Sequence, residues 1–268
     1  MWNFCLFEIK YRLKHLSTYF ASLIVFIPLF YQFYLGTKPP IDSSNIVFLN
    51  APIQLYAIIL TTSQFSILLL SYFVFSMYHR LKTDKFDEIL FSQPLKKRDY
   101  ILGHLSGIAI ILLIIMVIGL IITFSLKFTP FFPKELFTKD HLLNYLQPLL
   151  VIFIPNTFIF GAIYIFVATF TKKASSIFFT YVIIYMFRIT LMVLEAATDI
   201  SGRIFGYIDP MGAKAFDEFL SNLSLEDVNT KRVDIPLRLM MNRLIWAALG
   251  TVLIFLSIIK LKKIKHDI

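Results

Sequence analysis

The sequence predicts an all-α polytopic membrane protein with six transmembrane helices and an N-terminal amphipathic interfacial helix. Three observations carry this. Of 268 residues, 57% are hydrophobic and only 16% are charged, with a mean hydropathy of +0.73. A soluble domain carries about 25% charged residues to face water, so this chain must present apolar surface to another medium. Six apolar stretches reach the ~20 residues that cross ~30 Å of hydrocarbon. They run over 17–36, 51–78, 101–126, 147–170, 175–197 and 239–260. Finally, the charges flank these stretches asymmetrically.

Place the N-terminus inside. The inner segments then hold Lys10, Arg12 and Lys14, a cluster from Arg80 to Arg98, the pair Lys172–Lys173, and Lys260 to Lys265. The remaining basic and acidic residues balance, so the whole net charge of +9 falls on one side. Basic loops stay cytoplasmic, which predicts that both termini are cytoplasmic. The same placement explains the basic balance without nucleic acid as a partner; membrane lipids are the expected surroundings. The single cysteine, Cys5, excludes an intrachain disulfide. The first apolar run is long and lacks a short basic leader, so it reads as a span and not as a cleavable signal.

Residues 1–16 read as a helix with two apolar stripes. Trp2, Leu6, Ile9, Leu13 and Leu16 form one; Phe4, Phe7 and Tyr11 form another nearly opposite. That pattern suits a helix lying at the interface while packing on protein. The inner loop 79–99 contains a short helix over 84–93 with Phe86, Ile89 and Leu90 on one side, ended by Pro94. An exposed apolar stripe between basic flanks is costly unless covered, so this loop is the expected docking element. Spans four and five are separated only by Thr171–Ala174. A charge at mid-bilayer costs at least ~2.5 kcal/mol, so Lys172 and Lys173 predict a tight turn there. Pro155 is expected to kink the fourth span. In the outer loop 195–238, Asp209, Pro210 and Gly212 predict a turn, followed by a helix with Phe216, Phe219, Leu220 and Leu223 inward.

No GxxxxGK[ST], GxGxxG or HExxH pattern occurs, and the five histidines fall on different segments. We therefore expect no catalytic residues, no cofactor and no metal. Arg188 reads as the one charge deep in a span. Intramembrane ionisable residues are functional candidates by default, so Arg188, Glu195 two turns further on, Asn156 and Gln64 are the candidates for a pathway or gate. Hydrogen bonding between helices is the plainer role for such polar groups.

The stretch Asp87–Gly107, DEILFSQPLKKRDYILGHLSG, resembles the segment between the second and third spans in membrane subunits of type-two ABC exporters. The six-span layout and the N-terminal helix fit the same family. Tyr207–Gly250 is similar to bacterial permeases, some of them fused to a zinc aminopeptidase; no peptidase segment lies within these residues, so that chemistry is not carried over. The resemblance implies a single transmembrane permease domain over 1–268 in a bacterial inner membrane. It would pair with a second permease subunit, the same or different, and dock separate ABC ATPase subunits that hydrolyse ATP. Phe86, Asp87, Glu88, Ile89, Leu90 and Pro94 would form the coupling helix, and 1–16 the connecting helix. The second and fifth spans would line the route. The competing reading is a membrane scaffold or sensor that docks a cytoplasmic partner without transport.

Overall fold

The computed structural model describes residues 1–36, 47–83, 96–130, 133–139, 141–197, 204–220, 223–230 and 235–263. Among these, the regular structure is helical throughout. Helix α1 spans Trp2–Lys14, α2 Leu16–Gly36, α3 Pro52–Thr83 and α4 Lys97–Ser125. Next come α5 (Leu142–Pro148) and α6 (Ile154–Thr171), joined through a π-helical turn at Leu149–Phe153. Helix α7 spans Ser176–Ala197. Three short helices follow, α8 (Phe205–Ile208), α9 (Ala213–Leu220) and α10 (Leu225–Thr230), and then α11 (Leu237–Lys263).

Six segments are long and apolar enough to cross a membrane: Leu16–Leu35, Pro52–Leu81, Lys97–Phe128, Leu142–Thr171, Ser176–Leu194 and Leu237–Leu261. Each expected span is recovered. The turn between the fourth and fifth is tight, with Lys172 in the left-handed conformation at φ 58° as the C-terminal cap of α6. Pro155 acts less as a simple kink than through the π turn before it. Its missing N–H leaves the carbonyl of residue 151 without the usual helical donor, and the ladder widens there.

Helices α3 and α4 have 32 and 29 residues, ~48 and ~44 Å at 1.5 Å per residue. Both exceed the hydrocarbon thickness. The helices take up much of the expected loop 79–99: α3 continues to Thr83 and α4 begins at Lys97. The loop residues Phe86, Asp87, Glu88, Ile89, Leu90 and Pro94 lie outside the described residues.

The core runs along α3. Leu55, Ile59, Leu70, Phe73 and Val74 are buried against Leu29 and Phe33 of α2, Ile108 and Met116 of α4, and Phe160 and Tyr164 of α6. Helix α11 packs along α6, where Gly250 lets the helices approach; a Cβ there would stand 3.3 Å from the Phe158 ring. Of the six spans, the second is the most buried within the chain (67%) and the fifth the least (11%). The fifth span therefore leaves its surface open to lipid or a partner, whereas the second is occupied inside this bundle.

Candidate functional site

Two polar clusters interrupt the apolar core, one at each end. The first anchors α1. Its buried line is Cys5, Glu8 and Arg12, a face that runs between the two apolar stripes. Trp2, Leu13 and Leu16 are exposed, as is Phe7. The stripes flank the packing surface, with Phe4 and Ile9 packed against the core at its edges, and the centre of the face that enters the protein carries two charges. It can do so because each charge finds partners. Arg12 Nε donates to Glu8 Oε1 at 2.7 Å, one turn back on the same helix. Arg80 Nη2 of α3 donates to Glu8 Oε2 at 2.7 Å. His104 Nδ1 of α4 lies 2.8 Å from the same oxygen and, with Glu8 ionised, must donate. Arg12 Nη2 also donates to the Phe73 carbonyl at 2.8 Å, and its guanidinium lies 4.5 Å from the Phe73 ring centre.

Glu8 is fully buried. Burial alone would raise its pKa, yet the hydrogen bond from His104 and the charges of Arg12, His104 and Arg80 prevail and bring it down to about 2. It is therefore an anion at neutral pH, holding three helices. The sequence carried a signal for this, an acid and a base four apart in an aromatic-rich helix, but no hint of Arg80 or His104 as partners.

The approach of α1 to α4 depends on Gly103 and Gly107, a small-xxx-small pair. A Cβ on Gly103 would stand 2.5 Å from the Met1 carbonyl oxygen and 2.6 Å from Phe4 Cβ; one on Gly107 would stand 2.8 Å from both the Cys5 carbonyl oxygen and Glu8 Cβ. The Met1 amino group lies 3.8 Å from Asp99. The clasp therefore sits at the roots of the 84–95 segment: Arg80 is in the last turns of α3, and Asp99, Gly103 and His104 are in the first turns of α4. The end of α11 meets the same region, where Lys97 Nζ donates to the Leu261 carbonyl.

The second cluster lies in the other half of the bundle. Arg188 Nη1 of α7 donates to Gln64 Oε1 of α3 and lies 3.8 Å from Met211 Sδ. Asn156 of α6 donates to Ser63 Oγ at 3.2 Å and to the Met211 carbonyl at 3.4 Å. Three of the four expected pathway residues thus converge around Met211. The side chain of Glu195, the fourth, lies outside the described residues. Arg188 is not the one charge within a span. Arg243, 6% exposed in α11, donates to Asn156 Oδ1, to Asn242 Oδ1 and, at 3.0 Å, to the Pro210 carbonyl. Its proximity to the start of the last apolar stretch concealed it in the sequence.

Asn242 extends the network, with Nδ2 donating to the carbonyls of Gly206 (2.7 Å), Tyr207 (3.1 Å) and Asp209 (2.9 Å). The predicted turn forms at Asp209–Gly212. The Asp209 carboxylate accepts the N–H groups of Met211 and Lys214, each at 3.0 Å, and Gly212 takes φ +75°, which suits glycine. Helix α9 follows, with Phe216 fully buried, its ring centre 5.3 Å from that of Tyr56, and Leu223 packed nearby; the side chains of Phe219 and Leu220 lie outside the described residues. Asn242 and Arg243 therefore hold the 206–211 backbone inside the bundle, against α6 and beside the Arg188–Gln64 pair.

These clusters fasten helices to one another and to the 206–211 backbone. Residues 84–259 match the family described as ABC-2 family transporter protein. No curated protein and no solved structure matches the chain. The matched segment covers most of the sequence, and the chain belongs to the ABC-2 family of membrane transporter proteins.

Proposed function

We propose that the chain is the transmembrane subunit of an ATP-driven exporter: residues 1–268 act as one permease domain, pair with a second permease subunit, and dock separate ATPase subunits that hydrolyse ATP. The supporting observation is the clasp at the roots of the 84–95 segment, where Glu8 joins α1, the end of α3 and the start of α4. A push on that segment reaches all three helices together, because no root can move without stretching a buried charge-assisted bond. Phe86, Ile89 and Leu90 are the proposed contacts in an ATPase groove, with Asp87, Glu88 and Pro94 shaping the element.

In this reading the end bearing the surplus positive charge is cytoplasmic, both termini lie there, and the membrane is the inner membrane of a bacterium. The exposed face of α7 would meet lipid or the second permease. Arg188, Gln64 and Asn156, with Glu195 further along α7, would line or gate the route. Their meeting at Met211 ties the spans to the inserted 206–211 backbone, so a shift of α3 would be felt there.

Replacing Phe86 and Leu90 with Asp and measuring co-purification of the ATPase tests the coupling role. Loss of the ATPase from a folded permease is expected; unchanged co-purification would overturn it.

A further inference from the structure

A cavity of about 320 Å³ opens between α1 and the adjoining ends of α3 and α4, near the lower end of the ~300–1,000 Å³ range of ligand sites. Phe4, Phe7, Leu81 and Tyr100 contribute apolar walls, and Arg80, Asn3 and His104 contribute polar groups. Arg80 Nη2 is taken by Glu8. Its Nη1 is buried and has no hydrogen-bond partner among the described residues. The guanidinium lies 3.6 Å from the Tyr11 ring centre; a buried donor without a partner costs about 1–3 kcal/mol, so an acceptor entering the cavity gains if a small turn of the Arg80 side chain brings Nη1 to the cavity wall.

The surroundings say which acceptor. The outward face of α1 exposes Trp2, Phe7 and Leu13, the residues of a helix seated at headgroup depth. Lys10 and Lys14 are exposed on the same helix, at the end of the bundle that carries the surplus positive charge. A free phosphate would leave the aromatic walls unfilled. A neutral acyl chain would leave Arg80 Nη1 unanswered, and a zwitterionic headgroup would bring a second cation beside it.

We propose that this cavity binds one anionic phospholipid, its phosphodiester on Arg80 Nη1 and an acyl chain between Phe4, Phe7 and Tyr100. The site would fix a lipid at the joint between α1 and the roots of the 84–95 segment. It needs only the membrane setting and does not depend on ATPase docking or export.

The test uses the full chain in nanodiscs of phosphatidylcholine with a minor fraction of phosphatidylglycerol, followed by native mass spectrometry of the lipids retained in mild detergent. Wild type should retain one phosphatidylglycerol in preference to phosphatidylcholine. Asn3→Asp sets a carboxylate at the mouth and Leu81→Trp fills the space. Asn3→Asp should lower retention about fivefold, one charge's contribution at a bilayer surface, and Leu81→Trp should lower it at least as much by taking up the space. Lys10→Gln, on α1 but outside the cavity, removes a solvent-screened charge and should lower retention clearly less than either cavity variant. Asn3→Asp alters an exposed position, so it keeps the test readable if Leu81→Trp fails to fold. Equal retention of the two lipids by wild type overturns the proposal. So does wild-type retention by Asn3→Asp, or a loss in Lys10→Gln as large as in the cavity variants.

Discussion

Glu8 Oε2 accepts a hydrogen bond from Arg80 Nη2 at 2.7 Å, joining residues 72 positions apart in the chain at the point where α3 runs out toward the 84–95 segment. The same carboxylate holds Arg12 and His104. Because it is fully buried, its loss would leave two guanidinium groups with no carboxylate partner in the clasp. Removing one member of a buried charge set typically costs about 3–5 kcal/mol. Glu8→Gln should therefore lower the thermal midpoint in detergent markedly. Glu8→Asp, which keeps the charge but shortens the reach, should fall between. A Glu8→Gln midpoint equal to wild type would show that the clasp carries no stability.

The Glu8 pKa of about 2 lies below its ordinary value of 4.5. The stabilisation is then fully present above pH 4.5 and is lost as pH falls from 4.5 through 2. The difference corresponds to roughly 3 kcal/mol. Unfolding midpoints followed over that window should decline in wild type beyond any decline in Glu8→Gln; parallel curves would refute the assignment.

Gly103 and Gly107 should not tolerate side chains. Backbone atoms of α1 stand 2.5 and 2.8 Å from where their Cβ atoms would lie, so Gly103→Val or Gly107→Val must lift α1 from α4. Cys5, 2% exposed, reports this directly. Its reaction with a maleimide should be slow in wild type and at least about tenfold faster in either variant, as burial of the thiol is relieved.

Asn242→Ala should loosen the inserted 206–211 backbone, since one amide group serves the carbonyls of Gly206, Tyr207 and Asp209. Leaving buried acceptors unmatched costs about 1–3 kcal/mol. Limited proteolysis in detergent should cut within 204–212 faster than in wild type, while the spans stay intact. An unchanged digestion pattern would mean that other contacts hold the segment.

Arg188→Ala removes the bond to Gln64 and the contact with Met211. If the pathway reading holds, export and transport-linked ATPase stimulation should fall while the protein still folds; Arg188→Lys should restore part of the loss. Full activity in a folded Arg188→Ala protein would reduce the residue to a helix fastener.

The helical spans and the tight turn at Lys172 were legible because they rest on local quantities: run length, charge cost and backbone preference. The turn at Asp209–Gly212 and the inward Phe216 were legible for the same reason. The packing face of α1 was not. Its apolar stripes pointed to Trp2 and Leu13 on one side and Phe4 and Phe7 on the other; Phe4 and Ile9 pack at the edges, but the centre of the buried face is Glu8 and Arg12, and only the partners on α3 and α4 make that burial favourable. Arg243 was hidden likewise, since Asn156 and the Pro210 carbonyl come to it from distant segments.

The amino-acid sequence by itself determined that this chain crosses a membrane six times, because a run of apolar residues has no other stable setting and a charge within it has a cost independent of its neighbours. It also determined the charge asymmetry between the two ends. Tertiary structure alone decided which ionisable groups belong inside, because a buried charge is stable only where partners 72 or 96 residues away arrive within hydrogen-bonding distance. It likewise decided that Arg188, Gln64 and Asn156 meet at Met211, through an inserted turn whose anchors lie on the last span.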